Sequence, residues 1–318
     1  MTKLTHQAAG TFAIAPTPFH DDGRIDEPSI DRLTDFYAEV GCEGVTVLGI
    51  LGEAPKLEGF EAEQVARRFV RRAGKMQVIV GVSAPGFAAM RSLARASMEA
   101  GAAGVMIAAP THLRTDEQIT SYFRQAVEAI GDDIPWVLQD YPLTLTVIMT
   151  PAVIRKIVMD NPSCMMLKHE DWPGLEKISA LRAFQKDGSL RPLSILTGNG
   201  GLFLDFEMER GADGAMTGYA FPELLIDVVK LSKAGKRDAA HDLFDAHLPL
   251  IRYEQQPGAG LAVRKYVLQK RGVMASSAQR KPGSNITPSA RAEVDYLLSR
   301  VARVDRRANL QPQSSAAG

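Results

Sequence analysis

One short junction recurs three times and narrows the fold more than any other feature of the chain. It reads Glu39-Val40-Gly41-Cys42-Glu43-Gly44-Val45, then Glu99-Ala100-Gly101-Ala102-Ala103-Gly104-Val105, then Glu209-Arg210-Gly211-Ala212-Asp213-Gly214-Ala215. In each copy the first glycine follows an amphipathic stretch, where a left-handed residue ends a helix, and the second opens a short apolar run. Each copy is a helix-to-strand loop. The apolar runs are Phe12 to Pro16, Val45 to Leu48, Val78 to Val82, Val105 to Ala109, Trp136 to Leu138, Met165 to Leu167, Ser194 to Leu196 and Gly214 to Met216. Helical spacing lies between them, as in Ile30, Leu33, Phe36, Tyr37 and Val40, or Ile119, Phe123, Val127 and Ile130. Continuously apolar strands alternating with amphipathic helices form a parallel sheet whose two faces are both covered. About eight such strands predict an α/β fold, a (β/α)8 TIM barrel. An open doubly wound sheet is the alternative, but its Gly-rich phosphate turn after the first strand is replaced by Pro16-Thr17-Pro18-Phe19.

At about 150 residues per domain, 318 residues would fit two domains, whereas a barrel absorbs most of them into one. The expected division is an N-terminal arm over 1–9, the barrel over 10–222, and a small helical C-terminal extension over 223–304. The extension is drawn from the helical segments Leu224 to Ala234, Arg237 to Ile251, Leu261 to Arg271 and Pro288 to Val301. The tail, 305–318, is a Gln/Ser/Ala mixture with little to bury and is expected to be disordered. The 37 basic and 37 acidic residues cancel, which argues against a nucleic-acid partner. No apolar run approaches the roughly 18 residues of a membrane span, and Met1 to Gly10 carries no secretory signal pattern. Cys42 and Cys164 flank strand starts and make no disulfide framework, so they are expected to be buried thiols in a cytoplasmic protein. His20, His241 and His247 lie away from strand ends without metal-ligand spacing; neither a metal nor a cofactor is expected.

In a barrel, chemistry belongs at the C-terminal strand ends and the loops that follow them, because those converge on one mouth. The exits read Pro16-Thr17-Pro18, Gly49-Ile50-Leu51-Gly52-Glu53, Ser83-Ala84, Pro110-Thr111-His112, Gln139-Asp140-Tyr141-Pro142, Lys168-His169-Glu170-Asp171, Thr197-Gly198-Asn199-Gly200-Gly201 and Thr217-Gly218-Tyr219. One strand end carries a lysine. Lys168 follows an apolar run, and a lysine held in apolar surroundings loses its proton more readily and becomes a nucleophile for ketones. The other reading of Lys168 is an ion pair with Glu170 or Asp171, and position alone does not choose between them. Glu53 is expected to hydrogen-bond backbone amides of its loop, and Asp140 to hold a strand-end turn. Tyr141 is open between a packing and a proton-moving role. Thr197-Gly198-Asn199 is either an anion-binding turn or a plain strand-to-helix turn.

The order and spacing of several pieces together resemble the dihydrodipicolinate synthase/N-acetylneuraminate lyase family of class I, Schiff-base-forming lyases. The pieces are Thr17-Pro18-Phe19 with Asp22-Gly23 and Ile25-Asp26 behind it, Gly49-x-x-Gly52-Glu53, the lysine strand, Thr197-Gly198-Asn199 and Gly214-Ala215-Met216-Thr217. The resemblance spans residues 10 to 300. It implies a barrel with a helical extension, a homo-oligomer (a tetramer or a dimer), and an imine-forming lysine at Lys168. It also brings out departures. The two hydroxyl residues normally held by the Gly-x-x-Gly-Glu loop are Ile50 and Leu51 here. The family's catalytic tyrosine maps to Gln139, the arginine that binds the second substrate of dihydrodipicolinate synthases to Thr144, and a tyrosine supplied by the neighbouring subunit to a position near His112. The Gln139-Asp140-x-Pro142 segment, Pro110-x-His112 and Lys168-x-Glu170 resemble instead the 2-keto-3-deoxy sugar acid dehydratase branch.

The expectation is therefore a lyase that forms a Schiff base with a small 2-oxo acid such as pyruvate and acts as a dehydratase or aldolase of the 2-keto-3-deoxy acid type. Lys168, Tyr141, Glu170 and His112 are its candidate catalytic residues, with Tyr219 a further group able to move a proton. Gly49, Ile50, Leu51, Gln139, Asn199, Met216, Thr217 and Tyr219 are candidates for substrate binding. The alternatives are a 4-hydroxy-tetrahydrodipicolinate synthase, and a non-catalytic protein that binds 2-oxo acids.

Overall fold

A computed structural model of the chain describes residues 2–310. Eight parallel strands close into a barrel in sequence order: β1 Gly10–Ile14, β2 Gly44–Val47, β3 Gln77–Gly81, β4 Gly104–Ala108, β5 Trp136–Asp140, β6 Cys164–His169, β7 Ser194–Thr197 and β8 Gly214–Thr217. The helices are α1 Glu27–Glu39, α2 Gly59–Arg72, α3 Phe87–Glu99, α4 Asp116–Ile130, α5 Pro142–Leu145, α6 Pro151–Asp160, α7 Leu175–Lys186, α8 Leu204–Glu209, α9 Pro222–Lys233, α10 Arg237–Glu254, α11 Gly260–Lys270 and α12 Pro288–Val301. This is the (β/α)8 barrel that the junctions predict, followed by C-terminal helices.

The junctions work as their glycines require. Gly41, Gly101 and Gly211 have φ of +92°, +101° and +96°, a backbone that turns out of a helix and that side chains resist. The second glycines, Gly44, Gly104 and Gly214, start β2, β4 and β8. A Cβ on Gly44 would lie 2.3 Å from the Phe12 ring, and one on Gly214 1.9 Å from the Gly10 carbonyl, so small residues let the strand starts approach at the base of the barrel.

Along each strand the side chains alternate between two cores. Phe12, Ile14, Ile79, Met106, Val137, Met166, Leu196 and Met216 point inward and fill the barrel, while Val45, Val78, Ile107, Leu138, Leu167 and Ile195 point outward against the helices. The N-terminal arm plugs the base: Leu4 is buried in the interior cluster, and its backbone N–H donates to the Ala103 carbonyl at 2.8 Å. Cys42 and Cys164 are buried free thiols, and burial pushes each up to about 12.

Two expected boundaries move. Helix α9 packs against β1 and β8, so it is the eighth helix of the barrel, and the extension begins at α10, not at residue 223. Periodicity marks a helix but not the element it covers. The first residues of the expected 305–318 tail are ordered. Asp305 is buried and accepts hydrogen bonds from His247 and Arg307, and a turn of 3-10 helix follows at Arg306–Ala308. The remaining tail, 311–318, lies outside the described residues. Among the described residues no helix is long and apolar enough to cross a membrane.

Candidate active site

Strands β5 and β6 run further than their apolar stretches, so Gln139 and Lys168 lie within them and face each other across the sheet in register. Both stand two residues beyond an interior side chain, Val137 and Met166, and so project into the mouth. Lys168 is 5 % exposed, and its Nζ lies 2.8 Å from Glu170 Oε1. Glu170 is fixed from three sides. Gln139 Nε2 donates to its Oε1 at 2.7 Å, the backbone N–H of Asn199 donates to its Oε2 at 3.1 Å, and Gly198 clears room for it. A Cβ on Gly198 would lie 2.4 to 2.6 Å from Glu170 Cγ, Cδ and Oε2. Of the two readings that the sequence left open for Lys168, the geometry thus contains the ion pair, and the same carboxylate is within proton-transfer distance of the amine.

Other mouth residues arrange themselves around this centre. Tyr141 is half-buried, and burial raises its phenol above the ordinary range, with a hydrogen bond to Thr144 acting the other way. The nearby Glu170 carboxylate also raises it and the Arg264 guanidinium lowers it. Gly49 precedes a 3-10 turn over Ile50–Gly52, in which Leu51 packs against the barrel interior and Ile50 is 44 % exposed. Thr17 Oγ1 donates to the Gly52 carbonyl at 2.6 Å and fastens that loop to the end of β1.

Four candidates do not join the centre. Alternation turns Thr217 and Tyr219 away from the barrel axis, because Met216 between β8's outer residues faces inward. The Tyr219 ring is buried under the C-terminal helices, and its hydroxyl meets His247 Nδ1 at 2.9 Å. Met216 itself is buried in the interior core. His112 is exposed on the β4–α4 loop, and among the described residues no hydrogen bond or ion pair ties it to Lys168. Asp140, expected to hold a turn, instead faces outward and ties β5 to α7 through Lys177, 2.8 Å away.

Three buried ionic features around the barrel have no forewarning in the sequence. Glu53, on a left-handed residue at the end of the β2 loop, meets Lys265 Nζ of α11 at 2.5 Å and Lys56 Nζ at 2.7 Å, besides one backbone N–H, that of Arg280. Arg264, also on α11, pairs with Glu254 of α10 at 3.0 Å. Glu207 of α8 is buried beside Thr197 and His169, and burial pushes its carboxyl up to about 7. No local signal exposes these groups, since their surroundings come from distant parts of the chain.

The profile of the dihydrodipicolinate synthetase family matches residues 7–301. The chain belongs to that family. It is 29 % identical over 307 residues to L-2-keto-3-deoxyarabonate dehydratase of Azospirillum brasilense, covering 94 % of this chain and 96 % of the relative. It is 30 % identical over 297 residues to 4-hydroxy-tetrahydrodipicolinate synthase of Rhizobium meliloti, covering 90 % and 96 %. Among solved structures, the dihydrodipicolinate synthase from Rhodopseudomonas palustris is 81 % identical with a TM-score of 0.94, covering 94 % of this chain and all of that one. A prophage protein of the family from E. coli K12, solved in complex with pyruvate, shares the fold at 21 % identity and a TM-score of 0.83, over 92 % of this chain and 98 % of its own. The two relatives are named as a dehydratase and as a synthase.

Proposed function

We propose that this family member is a Schiff-base lyase for 2-oxo acids, acting as a dehydratase of the 2-keto-3-deoxy acid type, with Lys168 as nucleophile and Glu170 as its acid and base. The observation that carries the reading is the 2.8 Å contact between Lys168 Nζ and a carboxylate that two further donors hold in place. Glu170 takes a proton from the ammonium and frees the amine to attack C2 of the substrate. The protonated carboxyl then returns that proton to the carbinolamine hydroxyl, which leaves as water and gives the iminium. The iminium acidifies C3. Glu170 accepts the C3 proton to form an enamine, then donates it to the C4 hydroxyl as the C4–O bond breaks. Hydrolysis of the resulting conjugated imine releases the product and restores Lys168. One carboxylate thus serves each proton transfer, and Gln139 orients it with an amide that has no proton to give up at neutral pH. Tyr141, its phenol held protonated by burial, is a donor to the distal end of the substrate. Backbone N–H groups around Leu51 assist in holding the carboxylate.

Borohydride reduction in the presence of pyruvate tests the imine. The expected product is a carboxyethyl-lysine on the peptide containing Lys168, and an unmodified Lys168 peptide under saturating pyruvate refutes the reading. A second reading, 4-hydroxy-tetrahydrodipicolinate synthase, is favoured by the similarity to the Rhodopseudomonas palustris protein of that class. It has to work with Gln139 and Thr144 at the positions that the resemblance gives to a tyrosine and an arginine. A coupled assay with pyruvate and aspartate semialdehyde, run beside one with a 2-keto-3-deoxy sugar acid, separates the two by which substrate is consumed.

A further inference from the structure

Beyond the end of β8, residue 218 stands two places after the interior residue Met216, so its side chain would face the mouth. It is a glycine. A Cβ there would lie 2.4 Å from Arg264 Nη1 and 2.9 Å from both Arg264 Cζ and Leu51 Cδ1. The guanidinium, brought in by α11 from the C-terminal extension, therefore fills the place of the missing inward side chain and abuts the Gly49–Glu53 loop. Arg264 is 1 % exposed, its Nε donates to Glu254 Oε2 at 3.0 Å, and its Nη1 has no hydrogen-bond partner among the described residues. A cationic donor buried without an acceptor is costly, and ligand oxygens are what such a group accommodates.

Lys168 with Glu170, and Arg264 with Glu254, form two pairs of opposite charge, and Nη1 is left over as a buried cationic donor that a carboxylate oxygen would satisfy. The Gly49–Glu53 loop offers no side-chain donor at its tip, because Ile50 and Leu51 occupy it. We propose that Arg264 is the anion anchor of this site, its Nη1 donating to the carboxylate of the 2-oxo acid. The inference rests on the lyase reading for the class of ligand, but not on imine formation.

The test measures calorimetric dissociation constants for pyruvate and for its uncharged analogue pyruvamide, without borohydride, in the wild-type protein and in two variants. Arg264→Met/Glu254→Gln removes both charges, so neither is left buried alone. Gly218→Ala keeps the charges but displaces the guanidinium. The expected wild-type preference for pyruvate falls roughly 10- to 100-fold in the double variant, and in the same direction in Gly218→Ala, with pyruvamide affinity nearly unchanged. A preference within about twofold of wild type in the folded variants overturns the anchor, as does an equal loss for both ligands. If the double variant does not fold, Gly218→Ala decides by the same ratio. Wild-type protein that prefers pyruvate but yields no borohydride adduct refutes the imine alone, whereas no preference for pyruvate in the wild type refutes the anchor.

Discussion

At the mouth of the barrel, Lys168 has one partner among the described residues, a Glu170 oxygen at 2.8 Å, and Glu170 has two further donors of its own. Behind the β2 loop, Lys265 has Glu53 at 2.5 Å, the Thr17 carbonyl at 2.9 Å and the Ala278 carbonyl at 2.8 Å, with the Phe19 ring 4.7 Å away. Both are buried lysine–glutamate pairs, yet their surroundings give them opposite capacities. Three acceptors and an aromatic face saturate the Lys265 ammonium, which leaves it no way to approach a ligand and makes it a tie between β1, the β2 loop and the C-terminal extension. At Lys168 the donors surround the carboxylate instead of the acceptors surrounding the amine. Among the described residues the Lys168 amine meets no second acceptor. Burial pulls the Lys265 ammonium down to about 8 despite the attraction of Glu53, so even a buried lysine with a lowered pKa is not thereby a catalyst.

The largest expected contrast is in turnover. Lys168→Ala should lower kcat/KM by at least on the order of a thousandfold while the protein still unfolds cooperatively, which steady-state kinetics and thermal melts together would show. Lys265→Met should act mainly on the fold, costing roughly 3–5 kcal/mol in denaturant titrations because Glu53 keeps a buried charge without its main counter-ion, and Glu53→Gln in the same chain should recover part of it. If Lys265→Met instead removes activity from a fully stable protein, the division between the two pairs is broken. Glu170→Gln should reduce turnover by about 10²- to 10⁴-fold, visible as a fall in kcat larger than any rise in KM. Gly198→Ala should do the same more weakly and destabilise by about 1–3 kcal/mol, since its Cβ would strike the Glu170 side chain.

The smallest effects are pH slopes. A folded Lys265 pKa of about 8 against 10.5 in the unfolded chain means that the unfolded state binds more protons between those values. This group alone then makes stability rise with pH across that window, and Lys265→Met should flatten the rise. Glu207, a buried carboxyl with no lysine beside it, has the opposite sign. Its folded pKa of about 7, against 4.5 unfolded, means that the folded state binds more protons, so stability falls as pH rises through that window. Glu207→Gln should accordingly gain about 1–3 kcal/mol at pH 8 over its effect at pH 4, read from chemical unfolding at the two pH values.

The barrel, the strand that carries Lys168 and the neighbourhood of Glu170 and Gln139 were legible in the amino-acid order alone. Those features are local: a left-handed glycine after a helix, an apolar run, and a lysine at its end act over a few residues and need no partner to be recognised. Alternation along β8 was also implicit in the sequence. Which phase faces inward, however, depends on the neighbours that fill the interior, and the structure turned Thr217 and Tyr219 outward and made room at Gly218. What meets at the mouth was settled only when the chain closed on itself. Lys265 reaches Glu53 across 212 positions of sequence, and Arg264 reaches the mouth because α10 and α11 fold back over the closed barrel. Periodicity assigns a residue to a face, but the acceptors around a buried cation come from distant segments, and it is those acceptors that separate Lys265, which ties the fold together, from Lys168, which meets one carboxylate at the mouth.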